Sequence, residues 1–211
     1  MYLTRVPLDL TKRKTLKAFS APNLFHGAVE ASIDGERRRN LWRIDRLRGR
    51  YYLLLLSEVV PDVKGLCEQF GTDELSETKN YDSLLERIQI TDTWKFRLTA
   101  NPTNSLKRGE GTRGKVVAHI GIGNQKRWLI GKSLNNGFCL DPESFNVVGS
   151  QWFSFRKKTK GERITMLSVT YEGTLKITDP ELFKRALTVG IGREKAYGMG
   201  LLTIAGRSSE A

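Results

Sequence analysis

"RITMLSVTYEGTLKITDPELFKRALTVGIGREKAYGMGLLTIAG" runs from Arg163 to Gly206 and reads as strand, helix, glycine-rich loop and strand. The β-rich opening to Thr178 has Val, Ile, Thr and Tyr in the density expected of a strand. "DPELFKRAL" (Asp179 to Leu187) reads as a helix, with Pro180 in its first turn and Leu182, Phe183, Ala186 and Leu187 on one face. "LLTIAG" then reads as a short closing strand. Between helix and strand stand Gly190, Gly192, Gly198 and Gly200. A dinucleotide fingerprint has the reverse order, with glycines after a strand and opening a helix. The spacing also fails, and no Gly-Lys-Ser/Thr follows, which excludes a P-loop.

Outward from this stretch the same order recurs. "YLTRVPLDL" alternates as a strand, and "SAPNLFHGAVEAS" (20–32) reads as one helix, with Ser20 as its cap and Pro22 in its first turn. "NLWRIDRL" and "YYLLLLSEV" are strands around the Arg48-Gly49-Arg50 turn. "PDVKGLCEQFG" resembles a second helix ending at Gly71, and "SLLERIQI" (83–90) returns as a strand or the start of one. The polar "FGTDELSETKNYDS" reads as an exposed connection. That order, β-α-β-β-α-β, is the ferredoxin-like unit also used by RNA-recognition domains. In the second half "WKFRLTANP" and "KVVAHIGIG" are strands, and "NQKRWLIGKSLNNG" is a helix stopped at Gly137. "FCLDPESFNVVGS", "WFSFRKK" and the long stretch quoted first supply the rest. The expected class is α+β, two tandem ferredoxin-like (RRM-like) domains, residues 1–92 and 93–211.

The chain of 211 residues carries a formal charge of +12, and 39% of its residues are hydrophobic. No apolar run approaches the roughly 20 residues of a membrane span, and "MYLTRVPLDL" lacks the basic-then-apolar form of a signal peptide. Cys67 and Cys139 make no disulfide framework and no CxxC pair, so a reducing, cytoplasmic setting is expected. The basic excess points to nucleic acid, because cations that neutralise phosphates release counterions and steer association. It is also clustered. "RKKTKGER" (156–163) holds five cations against one acid, and "ERRRNLWRIDRLRGR" and "KRGEGTRGK" are two further basic stretches.

Several stretches together resemble one family. "WKFRLTANPT", "RWLIGKSLNNGF", "VTYEGTLKITDPELFKRALTVGIGREKAYGMGLLTIA" and an N-terminal helix holding "LFHGAVE" are similar to the CRISPR repeat-processing endoribonucleases of the type I-E Cascade complex. The resemblance covers nearly the whole chain and is strongest from Trp94 to Ala205. It implies RNA bound across two facing ferredoxin-like domains, and cleavage of CRISPR precursor RNA at the base of each repeat hairpin without metal or other cofactor. It implies too that the product stays bound, making the enzyme a partner of the other Cascade subunits. The glycine-rich loop is then expected to lie against the RNA backbone, where absent side chains leave a low wall of N–H groups.

Metal-free cleavage uses the 2′-hydroxyl as an internal nucleophile, with a group that titrates near neutrality moving the proton. The resemblance places this role on His26, as base or as acid. His119, in an expected strand, matches no motif and is read as structural. The family often has tyrosine three residues before the catalytic histidine, where this chain has Asn23. Asparagine does not transfer protons near neutral pH, so either the tyrosine's role is orientation only or another group substitutes, with Tyr197 and Lys195 in the glycine loop as candidates. Arg156, Lys157, Lys158, Lys160 and Arg163 read as a basic hairpin tip, which the resemblance implies enters the groove of the RNA stem. Arg193 and Lys195 are further expected phosphate contacts. No DxD or His/Asp cluster stands out for a metal nuclease, and two histidines with two distant cysteines make no zinc site. The rival reading is a non-catalytic, RNA-binding structural subunit of the same complex; the C-terminal motifs disfavour a third, a basic RNA-binding protein of translation.

Overall fold

The computed structural model describes all residues except 36–39, 73, 107–113, 157–160 and 209–211. The first half runs β1 (Tyr2–Pro7), α1 (Arg13–Ser20), α2 (Asn23–Ala31), β2 (Leu41–Leu47), β3 (Arg50–Ser57), α3 (Lys64–Phe70) and β4 (Glu77–Asn80). Its antiparallel sheet has the order β2-β3-β1-β4, the ferredoxin-like arrangement. Arg48 and Gly49, with φ of 49° and 83°, join β2 to β3. Positive φ at both central residues is what a two-residue hairpin needs to match the strand twist.

Two local expectations are corrected here. The single helix expected from Ser20 is a pair: Ser20 ends α1, and α2 begins at Asn23 without a side-chain cap. Helix α1, "RKTLKAFS", is short and mostly polar and buries only Thr15 and Ala18, so no apolar run marks it in the sequence. The fourth strand is "ETKN", inside the stretch expected to be a polar connection. It is an edge strand paired only with β1, and all four of its residues are exposed. "SLLERIQI" is instead entered by a helical turn, α4 (Asp82–Leu85), and packs Ile88 into the core.

The second half repeats the order with insertions. It comprises β5 (Thr93–Ala100), a separate hairpin of β6 (Thr103–Leu106) and β7 (Lys115–Ala118), α5 (Ile122–Ser133), β8 (Phe138–Cys139), β9 (Phe145–Arg156), β10 (Arg163–Ile177), α6 (Pro180–Val189) and β11 (Leu202–Ser208). Its sheet has the order β11-β5-β10-β8, with β9 on β10. The "KVVA" strand therefore stands outside the main sheet. "FNVVGS" and "WFSFR" are one strand, bent by a bulge where Thr170 and Tyr171 face β9. Helix α6 starts where its sequence signals place it, with the Asp179 carboxylate accepting hydrogen bonds from the amides of Glu181 and Leu182.

The four leucines of β3 show how the halves join. Leu53 and Leu55 face Phe25, Phe70 and the helices, whereas Leu54 and Leu56 pack with Leu41 into a core continuous with Trp94, Phe96 and Leu201 of the second half. Alternating side chains thus bury both faces of the strand, which explains an unbroken apolar run in an antiparallel sheet. On the same face of β2 as Leu41 lie Arg43 and Asp45, both almost wholly buried. Arg43 holds Asp45 through two bonds of 2.7 Å and reaches across to the second half. There it donates to the carbonyls of Arg97 (2.9 Å) and Leu201 (2.7 Å) and to the Thr203 hydroxyl (2.7 Å). Arg97 pairs in turn with Glu172, and its Nε stands 3.2 Å from Asp45 Oδ1, close enough for an ion pair but not aligned as a hydrogen bond.

Candidate nucleic-acid interface

Helix α2 buries Phe25, Ala28 and Val29, which leaves His26 on a partly exposed side of the helix. The Phe25 ring lies 5.8 Å from Trp42 on β2, and Trp42 in turn lies under the glycine loop. A Cβ on Gly198 would stand 2.7 Å from the Trp42 ring. Helix α2 also packs directly on the 3-10 turn Lys195–Tyr197 within that loop. The imidazole-bearing helix and the glycine loop, more than 160 residues apart in the chain, are therefore neighbours.

The loop is closed at its base by the Ile191 amide donating to the Gly200 carbonyl (2.9 Å), and the Gly200 amide donates to Thr99 on β5 (2.7 Å). Gly190, Gly192, Gly198 and Gly200 all have positive φ, between 78° and 90°. A Cβ at Gly190 would press on Leu41 and the Gly200 carbonyl, and one at Gly192 would meet Trp128 at 3.3 Å. Conformation and close packing against both halves thus account for each glycine as a residue of the fold. Arg193 is exposed beside them and Lys195 is partly exposed.

The basic hairpin springs from the same place. Arg156 and Arg163 face each other in register at the ends of β9 and β10, both exposed, and Arg163 donates to the Ser154 hydroxyl (2.6 Å). Lys157, Lys158 and Lys160 lie outside the described residues. At the hairpin's foot Phe153, Phe155, Ile164 and Met166 form a small apolar cluster with Met199 and Tyr197 of the loop and Ala21 before α2. Tyr197 stands edge-on to Phe155, ring centres 5.2 Å apart. Burial, and then the nearby Glu194 carboxylate, raise its pKa above the ordinary phenol value, so it holds its proton at neutral pH. It can donate a hydrogen bond there.

Asn23 is half-buried in the first turn of α2, and its Oδ1 is closed off from solvent without a hydrogen-bond partner. His119 lies just past β7, with its backbone tied to Pro102 and Gln125. Among the described residues no group of three His, Cys, Asp or Glu side chains stands where it could hold a metal ion, and no helix is long and apolar enough to cross a membrane. The reading from sequence missed Arg43. Its signal was an Arg-x-Asp pair on one face of a strand whose neighbours are apolar, a pattern that demands a covered ion pair once that face is known to be buried.

Three comparisons bear on this arrangement. The sequence model of a family described as "CRISPR associated protein" matches residues 1–206. A CRISPR-associated endoribonuclease, Cse3 of Thermus thermophilus, is 29% identical over 97% of this chain and 100% of its own length. The structure of Thermus thermophilus Cse3 bound to an RNA representing a pre-cleavage complex superposes with a TM-score of 0.80 at 26% identity, covering 97% of this chain and 98% of that one. The Escherichia coli K-12 protein Cas6e shares the fold, with a TM-score of 0.60 at 22% identity over 97% of this chain and 99% of that one.

Proposed function

The chain belongs to the CRISPR associated protein family, and from that premise we propose that it is an endoribonuclease that cuts CRISPR precursor RNA at the base of the repeat hairpin. The observation that carries this reading is convergence: helix α2 with His26, the glycine loop and the foot of the basic hairpin meet at one place. The RNA stem lies along the β9–β10 hairpin, where Arg156, Lys157, Lys158, Lys160 and Arg163 neutralise phosphates and arginine can pair bidentately with guanine. The strand at the foot of the stem passes the glycine loop, with Arg193 and Lys195 on its phosphates.

The chemistry follows from tethering. The ribose 2′-oxygen attacks the adjacent phosphorus, the P–O bond to the 5′-oxygen of the next nucleotide breaks, and the 2′-proton leaves as the 5′-oxygen gains one. The products are a 2′,3′-cyclic phosphate and a 5′-hydroxyl. Because nucleophile and phosphorus are already joined, the protein's part is in-line alignment, proton transfer and stabilisation of phosphorane charge. His26 transfers the proton. Tyr197, protonated, donates a hydrogen bond near the reacting phosphate, with Lys195 adding charge. The cut product stays bound, and the chain enters a Cascade complex in the cytoplasm.

Asn23, in place of the family's tyrosine, favours the second reading, a structural subunit that binds repeat RNA without cutting it. One experiment separates the two. Repeat-hairpin RNA is incubated with the protein in excess EDTA, beside the same RNA carrying one 2′-deoxy nucleotide at the cut. Cleavage of the first with cyclic-phosphate ends, and of the second not at all, is expected. Loss of cleavage in EDTA, or cleavage of the deoxy RNA, would refute the mechanism; binding without any cleavage would establish the structural subunit.

A further inference from the structure

On the second half, beside the glycine loop, a cavity of about 260 Å³ lies between the end of β5, the β6–β7 hairpin and α5. That is below the roughly 300–1,000 Å³ usual for drug-sized ligands, and far too small for a duplex. Asn101, the residue after β5, lines it, is only 6% exposed and has an Oδ1 without a hydrogen-bond partner. Buried amides are nearly always paired, so this one marks a place where a partner is missing.

The opposite wall is Trp128 of α5. Its indole is stacked on Tyr171, ring centres 6.3 Å apart and 19° between planes, and the Tyr171 hydroxyl donates to the Gln125 carbonyl (3.2 Å). Gly192 is the glycine whose Cβ would meet Trp128 at 3.3 Å, so any side chain placed there would crowd the indole. Lys132, one turn on from Trp128, and Arg193 bring two cations to the same space. Thr103 and Ser105 add hydroxyls.

A rigid aromatic wall, an amide with an acceptor and a donor group, and paired cations match one nucleotide: a base to stack, a base edge to read and a phosphate to neutralise. We infer that this cavity takes a single unstacked nucleotide of the RNA strand flanking the stem. Its base carries an exocyclic amine for Asn101, and its phosphate lies between Lys132 and Arg193. The inference rests on the RNA-processing reading and adds to it a site for sequence outside the hairpin.

The test compares a repeat hairpin that keeps its single-stranded flanks with one trimmed to the stem. The wild-type protein is expected to bind the flanked RNA about tenfold more tightly. In Asn101→Ala and in Trp128→Leu that ratio falls to near one, while binding of the trimmed hairpin stays at the wild-type level and reports an intact fold. In the wild-type protein, 8-azidoadenosine placed at successive flanking positions labels the cavity peptides at one position only. An unchanged ratio in both variants, or labelling of no cavity peptide from any position, overturns the inference. Equal binding of repeat hairpin and scrambled RNA by the wild type would be a different failure, that of the RNA-processing reading itself.

Discussion

The two halves have the same ferredoxin-like order and opposite surfaces. In the first, sheet residues are buried on both faces, and the one exposed strand is the four-residue β4. In the second, β9 runs twelve residues and is mostly exposed, with Trp152 still 50% accessible, and leads into the basic hairpin. One copy of the fold has spent its second face on its neighbour; the other keeps the long β9 strand exposed and packs its glycine loop against both halves. Under the proposed function the second half would bind the RNA and the first would deliver the His26 imidazole to it.

Replacing that imidazole breaks the comparison most sharply. His26→Ala should lower the cleavage rate by about 10²–10⁴-fold, the usual share of a general acid or base, and leave hairpin binding within a few fold. Single-turnover cleavage and a filter-binding titration measure the two separately. Cleavage within about threefold of wild type would remove His26 from the chemistry, and a parallel loss of binding would give the first half a share in holding RNA.

The seam between the halves comes next. Arg43→Met leaves Asp45 buried with only the offset Arg97 for company, and should cost about 3–5 kcal/mol of unfolding free energy. Replacing Asp45 by Leu in the same chain should recover much of that, because an apolar pair of similar volume avoids the desolvation of both ions. Denaturant unfolding with both variants checks this. Additive losses in the double variant would mean that Arg43 acts through the second-half carbonyls alone.

How far these features could be read in advance depends on whether the physics is local. The α6 cap at Asp179, the Arg48-Gly49 turn and the leucine run of β3 are local, and each forms as its residues dictate. Helix α1 and strand β4 are short and mostly polar and bury almost nothing, so no apolar run marks them. For the candidate site, His26 and the hairpin are proposed only through the family resemblance, since a half-exposed histidine and a basic turn are ordinary alone. The glycine loop was read as clearance for an RNA backbone. Trp42, Leu41 and Trp128 are its protein neighbours, and no single sequence says that they fold onto it. Arg43 needed knowledge of which sheet face is covered.

A smaller effect tests the exposed half directly. Arg156→Gln and Arg163→Gln should each weaken hairpin binding and flatten its salt dependence by about one unit of log–log slope, the signature of one lost phosphate contact. Titrations between low and high salt give the slope. An unchanged slope in both would take the described end of the hairpin off the RNA.

The smallest expected effect contrasts two tyrosines, one at the seam and one inside the second half. Tyr81 is buried in the shared core with its hydroxyl unpartnered, whereas the Tyr171 hydroxyl donates to Gln125. Removing an unpaired buried hydroxyl relieves a desolvation cost, so Tyr81→Phe should be neutral or stabilising by up to about 1 kcal/mol at pH 7. Tyr171→Phe should instead lose about 0.5–1.5 kcal/mol with its hydrogen bond. Burial raises both phenols above their ordinary pKa, with Arg43 partly opposing the shift at Tyr81. A raised folded-state value means that the folded chain keeps a proton the unfolded chain gives up. Stability from this source is complete below about pH 10, the ordinary phenol value, and falls as pH climbs beyond it. Each Phe variant should therefore show a shallower alkaline decline than the wild type in pH-dependent unfolding. If Tyr81→Phe instead destabilises at pH 7 as much as Tyr171→Phe, the seam hydroxyl has a partner in solution, and the first half meets the second more closely there than the buried phenol indicates.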